Sequence, residues 1–204
     1  MDEWSDLMKI SIVCRMLVIG FICIYSSLVF AKTETAIFSA GCFWCAEDAF
    51  EKVAGVEKVI SGYTGGSVKS PTYEEVSAGG TGHYEAVEVY FDPEKISYSR
   101  LLDVFWKNVD PVDADGQFCD KGQQYKAVIF YNSPEQKKMA EESKNDLSKT
   151  GRFKIITTAI LPASEFYPAE EYHQGYAKKN PVRYQSYKYQ CGREQRLEKV
   201  WGNS

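Results

Sequence analysis

The stretch Thr35–Cys45 reads TAIFSAGCFWC and decides the fold. Its first part, Thr35–Ala40, is short and apolar, which is typical of a buried strand, and it ends at Gly41. Phe43–Val53 follows, is rich in Ala, Glu and Phe, and stops before a glycine, which predicts a helix. We therefore expect a strand that passes almost directly into a helix, with Cys42 at the junction.

Working outward from this junction, the chain alternates strand-like and helix-like segments. Apolar or alternating runs predict further strands at Val56–Gly62, His83–Phe91, Tyr125–Tyr131 and Lys154–Leu161. Helical spacing of apolar residues predicts helices at Ser99–Val109 and Pro134–Lys149. Long loops are expected where Gly, Pro, Ser and Asp accumulate without periodicity, at Gly62–Gly82 and Asp110–Gln124.

This order of elements predicts an α+β fold: an α/β two-layer arrangement in which helices flank a mixed sheet. The predicted architecture also includes the two long loops. The segment Phe166–Trp201 is rich in Tyr and Lys and shows little regular pattern apart from a final helix at Glu194–Trp201. We therefore expect an irregular C-terminal tail.

Composition restricts the class of protein. Of the 204 residues, 44% are hydrophobic and 25% are charged, which is typical of a globular protein rather than a disordered or polytopic membrane one. The formal charge is 24 − 28 = −4, so the chain lacks the basic surface of a nucleic-acid binder, and no nucleic-acid partner is expected.

The N-terminal segment is predicted to be a secretory signal peptide. Met16–Phe30 is almost entirely apolar, follows Lys9 and Arg15, and ends in Val-Phe-Ala, a typical cleavage site after Ala31. Its fifteen residues are short for a membrane-spanning helix, which needs about 20. We expect export, to the periplasm; an uncleaved membrane anchor is the alternative. The acidic residues before Met8 also leave open which methionine is the true start.

Removal of residues 1–31 leaves residues 32–204, which are long enough for one domain with one core. The cysteines that remain are Cys42, Cys45, Cys119 and Cys191, in a compartment where disulfides persist. A monomer is expected.

The densest chemical signal is the motif Gly41-Cys42-Phe43-Trp44-Cys45. A thiol at the start of a helix faces unpaired backbone N–H groups and the positive end of the helix dipole, and both favour the thiolate. Because the thiolate is the reactive form, Cys42 is the candidate nucleophile. Two other roles remain open for Cys42 and Cys45. They could be small buried apolar residues, or they could form a thioredoxin-type redox pair. Zinc is not expected, since no second cluster of ligands occurs in the sequence.

Five motifs in a fixed order then resemble one family. After GCFWC come PTYEEV, TGHYEAVEVYFDP, CDKGQQY and YHQGY, at residues 71–76, 81–93, 119–125 and 172–176. Together they resemble the A-type peptide methionine sulfoxide reductases over nearly all of the chain from Thr35 onward. The resemblance implies reduction of methionine S-sulfoxide, free or in oxidised proteins, to methionine, which repairs those proteins.

The resemblance also implies roles for individual residues. Cys42 would attack the sulfoxide sulfur and become a sulfenic acid. Glu85, kept protonated by burial, would be the acid, although a solvent-facing strand Glu is the alternative from the sequence alone. Tyr73 and Tyr125 would donate hydrogen bonds to the sulfoxide oxygen, and Asp120 would lie at the site. Phe43 and Trp44 would form the apolar walls around the substrate methyl group.

A second thiol must resolve the sulfenic acid, and the sequence leaves three candidates. We rank Cys191 first because the family's resolving thiol lies in the tail, then Cys119, then Cys45. A relay that passes the disulfide outward through two of them also remains open.

No bound cofactor is expected, because no dinucleotide-binding fingerprint is present. Electrons would come from an external thiol reductant, a thioredoxin-like protein. The main functional alternative is a CxxC thiol–disulfide oxidoreductase that uses Cys42 and Cys45 on protein disulfides. A non-catalytic secreted binding module is a second alternative.

Overall fold

The computed structural model describes residues 33–202, and its central feature is a six-stranded mixed sheet. The predicted signal peptide lies outside the described residues. The strands, in chain order, are β1 Glu34–Ser39, β2 Val56–Thr64, β3 Tyr84–Phe91, β4 Gly116–Gln117, β5 Asp120–Lys121, β6 Val128–Tyr131, β7 Ala159–Pro162 and β8 Tyr167–Pro168.

The sheet has the order β7-β6-β1-β3-β2-β8, while β4 and β5 form a separate two-stranded ribbon. Neighbouring strands of the sheet are antiparallel except β6 and β7, which are parallel, so the predicted mixed sheet is confirmed. β3 lies at the centre between β1 and β2, and its Glu85 is opposite Tyr63 of β2. This register places an acidic residue in the middle of the fold rather than at its edge.

The helices pack mainly on one face of the sheet. They are α1 Phe43–Glu51, α2 Tyr73–Ala78, α3 Tyr98–Lys107, α4 Pro134–Lys149, α5 Tyr176–Lys179, α6 Pro181–Gln190 and α7 Arg193–Trp201.

The two faces of β1 contact different apolar groups. On the helical face, Phe38 stacks on Phe50 of α1 with ring centroids 4.9 Å apart and on Phe105 of α3 at 5.4 Å. The next residue back, Ile37, belongs to a smaller cluster on the opposite face with Phe130. This alternation buries both faces of β1, and burial of each large apolar side chain contributes about 1.5–3 kcal/mol.

Several segments differ from their predictions, among them the predicted loop Asp110–Gln124, which holds the β4–β5 ribbon. The predicted loop at Gly62–Gly82 contains α2, whose first turn is closed by a capping box between Thr72 and Glu75. The predicted irregular tail is wrong between residues 176 and 190, which form α5 and α6, whereas its final helix is confirmed as α7. The last predicted strand begins five residues late, at Ala159. Within residues 33–202, no helix combines the length and apolarity needed to cross a bilayer.

Candidate active site

Cys42 lies at the junction that the sequence identified. β1 ends three residues before it and α1 starts directly after it, and the Cys42 carbonyl accepts the N–H groups of Cys45 and Ala46 at 3.1 and 3.3 Å. Gly41 makes the turn with φ +82°, and a Cβ there would lie 2.7 Å from Cβ of Gln117. Only glycine therefore fits this turn. Cys42 is 7% exposed.

Glu85 faces the start of α1 from the central strand. Its carboxylate accepts the N–H of Phe43 at 3.0 Å, and the residue is 2% exposed. Burial raises the pKa of the Glu85 carboxyl to about 8, although the Phe43 hydrogen bond opposes this shift. The solvent-facing alternative for Glu85 is therefore wrong. Near neutral pH this carboxyl holds a proton, which a general acid needs.

Tyr73, Tyr125 and Asp120 come together around Cys42 and Glu85, although they lie on three different elements. Burial raises the pKa of Tyr73 to about 12, with further contributions from Glu85, Cys42 and Asp120. The same neighbours raise the pKa of Tyr125, after burial. Both phenols therefore stay protonated and keep an O–H to donate. Glu85, the acid predicted from the sequence, therefore lies in one cluster with these two phenols and Cys42.

Phe43 and Trp44 form an aromatic wall beside this cluster, but they differ in exposure. Phe43 is 1% exposed and packs against Tyr73, with ring centroids 6.4 Å apart. Trp44 is half-buried, stacks on Tyr176 at 3.7 Å, and donates its indole N–H to Nδ1 of His173 at 3.0 Å. Trp44 is thus the more accessible part of this wall, and its hydrogen bond with His173 holds its ring in place.

The segment 169–176 was missed as a functional element by sequence reasoning. Besides His173, it supplies Glu170, which accepts the N–H of Tyr73 at 2.9 Å and the phenol of Tyr63 at 2.9 Å. Its Gly175 N–H is held by the buried carboxylate of Glu47 on α1. The YHQGY motif was the feature of the sequence that could have identified this segment. In the structure, the segment holds the aromatic wall and Tyr73 in place.

The two free cysteines among the described residues, Cys42 and Cys45, are neighbours at the start of α1, where the Cys45 N–H donates to the Cys42 carbonyl at 3.1 Å. Burial raises the pKa of the Cys42 thiol, and the neighbouring Cys45 and Glu85 raise it further. The hydrogen bond with Cys42 and the positive charge of Arg193 lower the pKa of Cys45, against its burial. Burial therefore opposes the thiolate at Cys42, whereas the helix N-terminus favours it.

Cys119 and Cys191 form a disulfide with each other, with an S–S distance of 2.05 Å. This bond ties the residue before Asp120 to the end of α6, one turn after Tyr187. The Tyr187 phenol donates to the Asp120 carboxylate at 2.5 Å. Sequence reasoning missed Tyr187, which no quoted motif contains.

One group of ligand types clusters among residues 33–202: Cys119, Asp120 and Cys191, with their ligand atoms within 4.8 Å of one another. Both of its sulfurs are in the disulfide, and the Asp120 carboxylate accepts from Tyr187. This group is therefore better described as a redox pair next to the site than as a metal centre.

A buried protonated carboxyl, two phenols, an aromatic wall and a pair of contacting thiols define a thiol-dependent oxidoreductase site. The comparisons with known proteins agree with this class. A family model described as peptide methionine sulfoxide reductase matches residues 34–204, and the chain belongs to that family. It reduces methionine sulfoxide to methionine through a thiol–disulfide cycle, so the family and the activity predicted from the motifs are confirmed.

Individual relatives resemble nearly all of the described chain. Peptide methionine sulfoxide reductase MsrA of Bacillus licheniformis is 51% identical over 172 residues, which cover 84% of this chain and 95% of the relative. Mxr1 of Saccharomyces cerevisiae in reduced form is 32% identical with a TM-score of 0.70, over 74% of this chain and 88% of that one. In its complex with Trx2, Mxr1 matches 76% of this chain and 91% of its own at 24% identity and a TM-score of 0.51.

Proposed function

We propose that Cys42 is the nucleophile and Glu85 the general acid in the reduction of methionine S-sulfoxide. The Cys42 thiolate attacks the sulfoxide sulfur and forms an S–S bond with it, while Glu85 gives its proton to the sulfoxide oxygen, which becomes a hydroxyl on that sulfur. The hydroxyl then passes to the Cys42 sulfur as the S–O and S–S bonds break, so that methionine leaves and Cys42 is oxidised to a sulfenic acid. The observation that carries this proposal is the buried carboxyl of Glu85, with its pKa raised to about 8, bonded to the N–H directly after Cys42.

Tyr73 and Tyr125 donate hydrogen bonds to the sulfoxide oxygen in this proposal. A phenol suits the task because it donates a hydrogen bond to the sulfoxide oxygen without carrying a charge. Glu170 supports the role of Tyr73, since it holds the backbone of that residue at 2.9 Å. Trp44 takes the S-methyl group of the substrate against its ring, held in orientation by His173.

For resolution of the sulfenic acid we reverse the order predicted from the sequence and place Cys45 first. It follows Cys42 by three residues on the first turn of α1, its N–H donates to the Cys42 carbonyl at 3.1 Å, and the positive charge of Arg193 favours its thiolate. The thiolate attacks the Cys42 sulfur, hydroxide leaves and takes up a proton as water, and a Cys42–Cys45 disulfide forms. Cys191 and Cys119 then take over the disulfide by thiol exchange. These two residues form a disulfide with each other in the structure, and Cys119 is exposed.

This order can be tested by locating the disulfide after one turnover. The fully reduced protein is mixed with one equivalent of an S-sulfoxide peptide without reductant, quenched by alkylation and mapped by mass spectrometry. We expect Cys42–Cys45 early and Cys119–Cys191 late. Cys191→Ser should stop at Cys42–Cys45, and Cys45→Ser should leave a long-lived sulfenic acid on Cys42. A persistent sulfenic acid in Cys191→Ser, with Cys45 still free, would contradict the order.

A thioredoxin-like protein is the proposed reductant of the exposed Cys119–Cys191 disulfide. The complex of the yeast relative Mxr1 with Trx2 supports a protein reductant of this kind. A monomer is the proposed working unit. The oxidised proteins that it repairs reach the cluster through the side of Trp44.

We propose that the enzyme works after export, in the periplasm, with cleavage after Ala31. The apolar run Met16–Phe30 and the Val-Phe-Ala ending support this proposal. N-terminal sequencing of the protein recovered from the producing cells should give Lys32 as the first residue. A protein that keeps its leader and partitions with membranes would favour the anchored alternative instead.

A further inference from the structure

Three side chains with metal-binding atoms meet beside the active site, although the sequence scatters them. Cys119 and Asp120 lie at the start of β5, and Cys191 follows α6, 72 residues after Cys119 in the chain. Their two sulfurs and a carboxylate oxygen all lie within 4.8 Å of one another. While the disulfide is intact, its sulfurs are bonded to each other and cannot act as thiolate ligands. Reduction of this bond frees both thiols at one place.

The spacing of these atoms suits a single ion. Around a tetrahedral Zn²⁺, with bonds of about 2.3 Å to sulfur and about 2.0 Å to oxygen, neighbouring ligand atoms lie roughly 3.5–4 Å apart. The sulfurs are 2.05 Å apart in the disulfide, on Cα atoms 4.9 Å apart, so after reduction side-chain rotation is enough to separate them to that distance. The Asp120 carboxylate is within 4.8 Å of both sulfurs and can reach the same ion.

The chemistry of this donor set favours Zn²⁺ over the hard cations. Thiolates are soft ligands, whereas Mg²⁺ and Ca²⁺ take oxygen ligands. Two thiolates and one carboxylate fill three positions of a tetrahedral ion and leave the fourth for water. Cys119 is exposed, and Asp120 and Cys191 are half-buried, so an ion can reach the group directly from solvent.

Neighbouring groups hold the ligands and favour their charged forms. The Tyr187 phenol donates to Oδ2 of Asp120, which orients the carboxylate and leaves its other lone pairs for an ion. The Cys119 N–H lies 3.2 Å from the Cys191 sulfur, and a donor at this distance stabilises a thiolate once the disulfide is reduced. The thiolate is the form that binds metal.

We propose that Cys119, Cys191 and Asp120 form a Zn²⁺ site whenever the Cys119–Cys191 disulfide is reduced. The thiol reductant supplies the two electrons and two protons that turn the disulfide into two thiols. On binding, both thiols lose their protons to solvent, two Zn–S bonds and one Zn–O bond form, and no electron changes hands.

Occupancy of this site has a consequence for turnover. The ion holds the two sulfurs that take over the disulfide from Cys42 and Cys45, so bound Zn²⁺ blocks that transfer. This consequence rests on the order of disulfides in the proposed function, whereas binding of the ion does not.

The other pair of thiols is a poorer site. Cys42 and Cys45 are 7% and 3% exposed, on the first turn of α1. Among residues 33–202, the group that contains Cys119 is the only set of three cysteine, histidine or acidic ligands close enough to hold one ion. The two pairs can therefore be told apart by removing one cysteine at a time.

The binding test uses the full chain, reduced with a phosphine and freed of the reductant without oxygen. Zn²⁺ alone is titrated against a chromophoric zinc chelator, and Co²⁺ reports sulfur ligation through its thiolate charge-transfer band. We expect one equivalent of bound Zn²⁺, with at least about 10²-fold weaker binding in Cys119→Ser and in Cys191→Ser. Because the parent is measured with its disulfide reduced, neither variant loses a cross-link that the parent has.

Further variants define the ligand set. Asp120→Asn and Tyr187→Phe should each weaken binding by about tenfold or more, since one removes a ligand and the other its orienting partner. Cys45→Ser is the matched control and should bind as tightly as the parent. The parent with Cys119–Cys191 oxidised should bind at least about 10²-fold more weakly than the reduced parent.

Several results would overturn the site. They are the absence of Zn²⁺ binding by the reduced parent, equal binding by its oxidised form, unchanged binding in Asp120→Asn, or loss of binding in Cys45→Ser with retention in Cys119→Ser and Cys191→Ser. No sulfoxide is present in this titration, so a failure of the proposed reaction leaves its outcome unchanged.

The block on transfer is tested by mapping disulfides after one equivalent of S-sulfoxide peptide. In the reduced, Zn²⁺-loaded parent the disulfide should stay at Cys42–Cys45, and removal of the ion with EDTA should let it move to Cys119–Cys191. Equally fast formation of Cys119–Cys191 with the ion bound would contradict the block. A Cys42 that is never oxidised, with or without Zn²⁺, would instead be a failure of the proposed reaction.

Discussion

Cys42→Ser is expected to abolish methionine sulfoxide reduction, with kcat/KM at least about 10⁴-fold lower than that of the parent. A serine hydroxyl is a far weaker nucleophile than a thiolate, and it cannot form either the sulfenic acid or the disulfide that follow. The measurement is methionine release from an S-sulfoxide peptide with dithiothreitol as reductant. The side chain is 7% exposed and the substitution is nearly isosteric, so the fold should be retained.

Cys45→Ser is the matched control for that variant, since it changes a neighbouring buried thiol of the same pair. It should still release methionine in the first turnover and lose only the later steps. If Cys42→Ser retained substantial activity while Cys45→Ser lost all of it, the nucleophile would be Cys45, and the site would have to be rebuilt around that residue.

Glu85→Gln should lower kcat/KM by about 10²–10⁴-fold, the usual contribution of a general acid. The amide keeps the size of the side chain and can still accept the N–H of Phe43, but it has no acidic proton. In the parent enzyme the acid is available below its pKa of about 8 and is lost as the pH rises through that value. The parental rate should therefore fall above this pH, and the variant should lack that decline.

Glu88→Gln provides the comparison on the same strand. Glu88 is half-buried and accepts the phenol of Tyr90, well outside the cluster around Cys42. Its activity and pH profile should match those of the parent. Parental activity in Glu85→Gln, with the decline above pH 8 unchanged, would remove Glu85 from the mechanism.

The elements with a strong periodic pattern were predictable from the sequence. The junction at Gly41-Cys42 and helix α4 agree with their predictions closely. Helix α2 was missed because its six residues are too few to show an apolar period, although its capping box was readable. Helix α6 was missed for another reason: it buries only Tyr184, so most of its sequence is polar and resembles a loop.

The features of the site also divide into those that the sequence predicts and those that only the folded structure reveals. Cys42, Glu85, Tyr73, Tyr125 and Asp120 could be named from motifs, and the structure brings them into one cluster.

What sequence reasoning could not supply was the arrangement of sulfurs. The contact of Cys42 with Cys45 and the bond between Cys119 and Cys191 depend on the folding of the tail over α1. The lowered pKa of Cys45 likewise depends on Arg193, which is far away in the sequence and 3% exposed.

The most direct measurement of the central claim is the location of the oxidised sulfur after one turnover. Fully reduced Cys45→Ser protein is mixed with one equivalent of an S-sulfoxide peptide in the presence of dimedone, which traps sulfenic acids, and the adduct is located by mass spectrometry. We predict a single adduct on Cys42, formed together with methionine, and none with the R-sulfoxide peptide. Methionine release with Cys42 unmodified, or with the adduct on Cys119 or Cys191, would contradict the account.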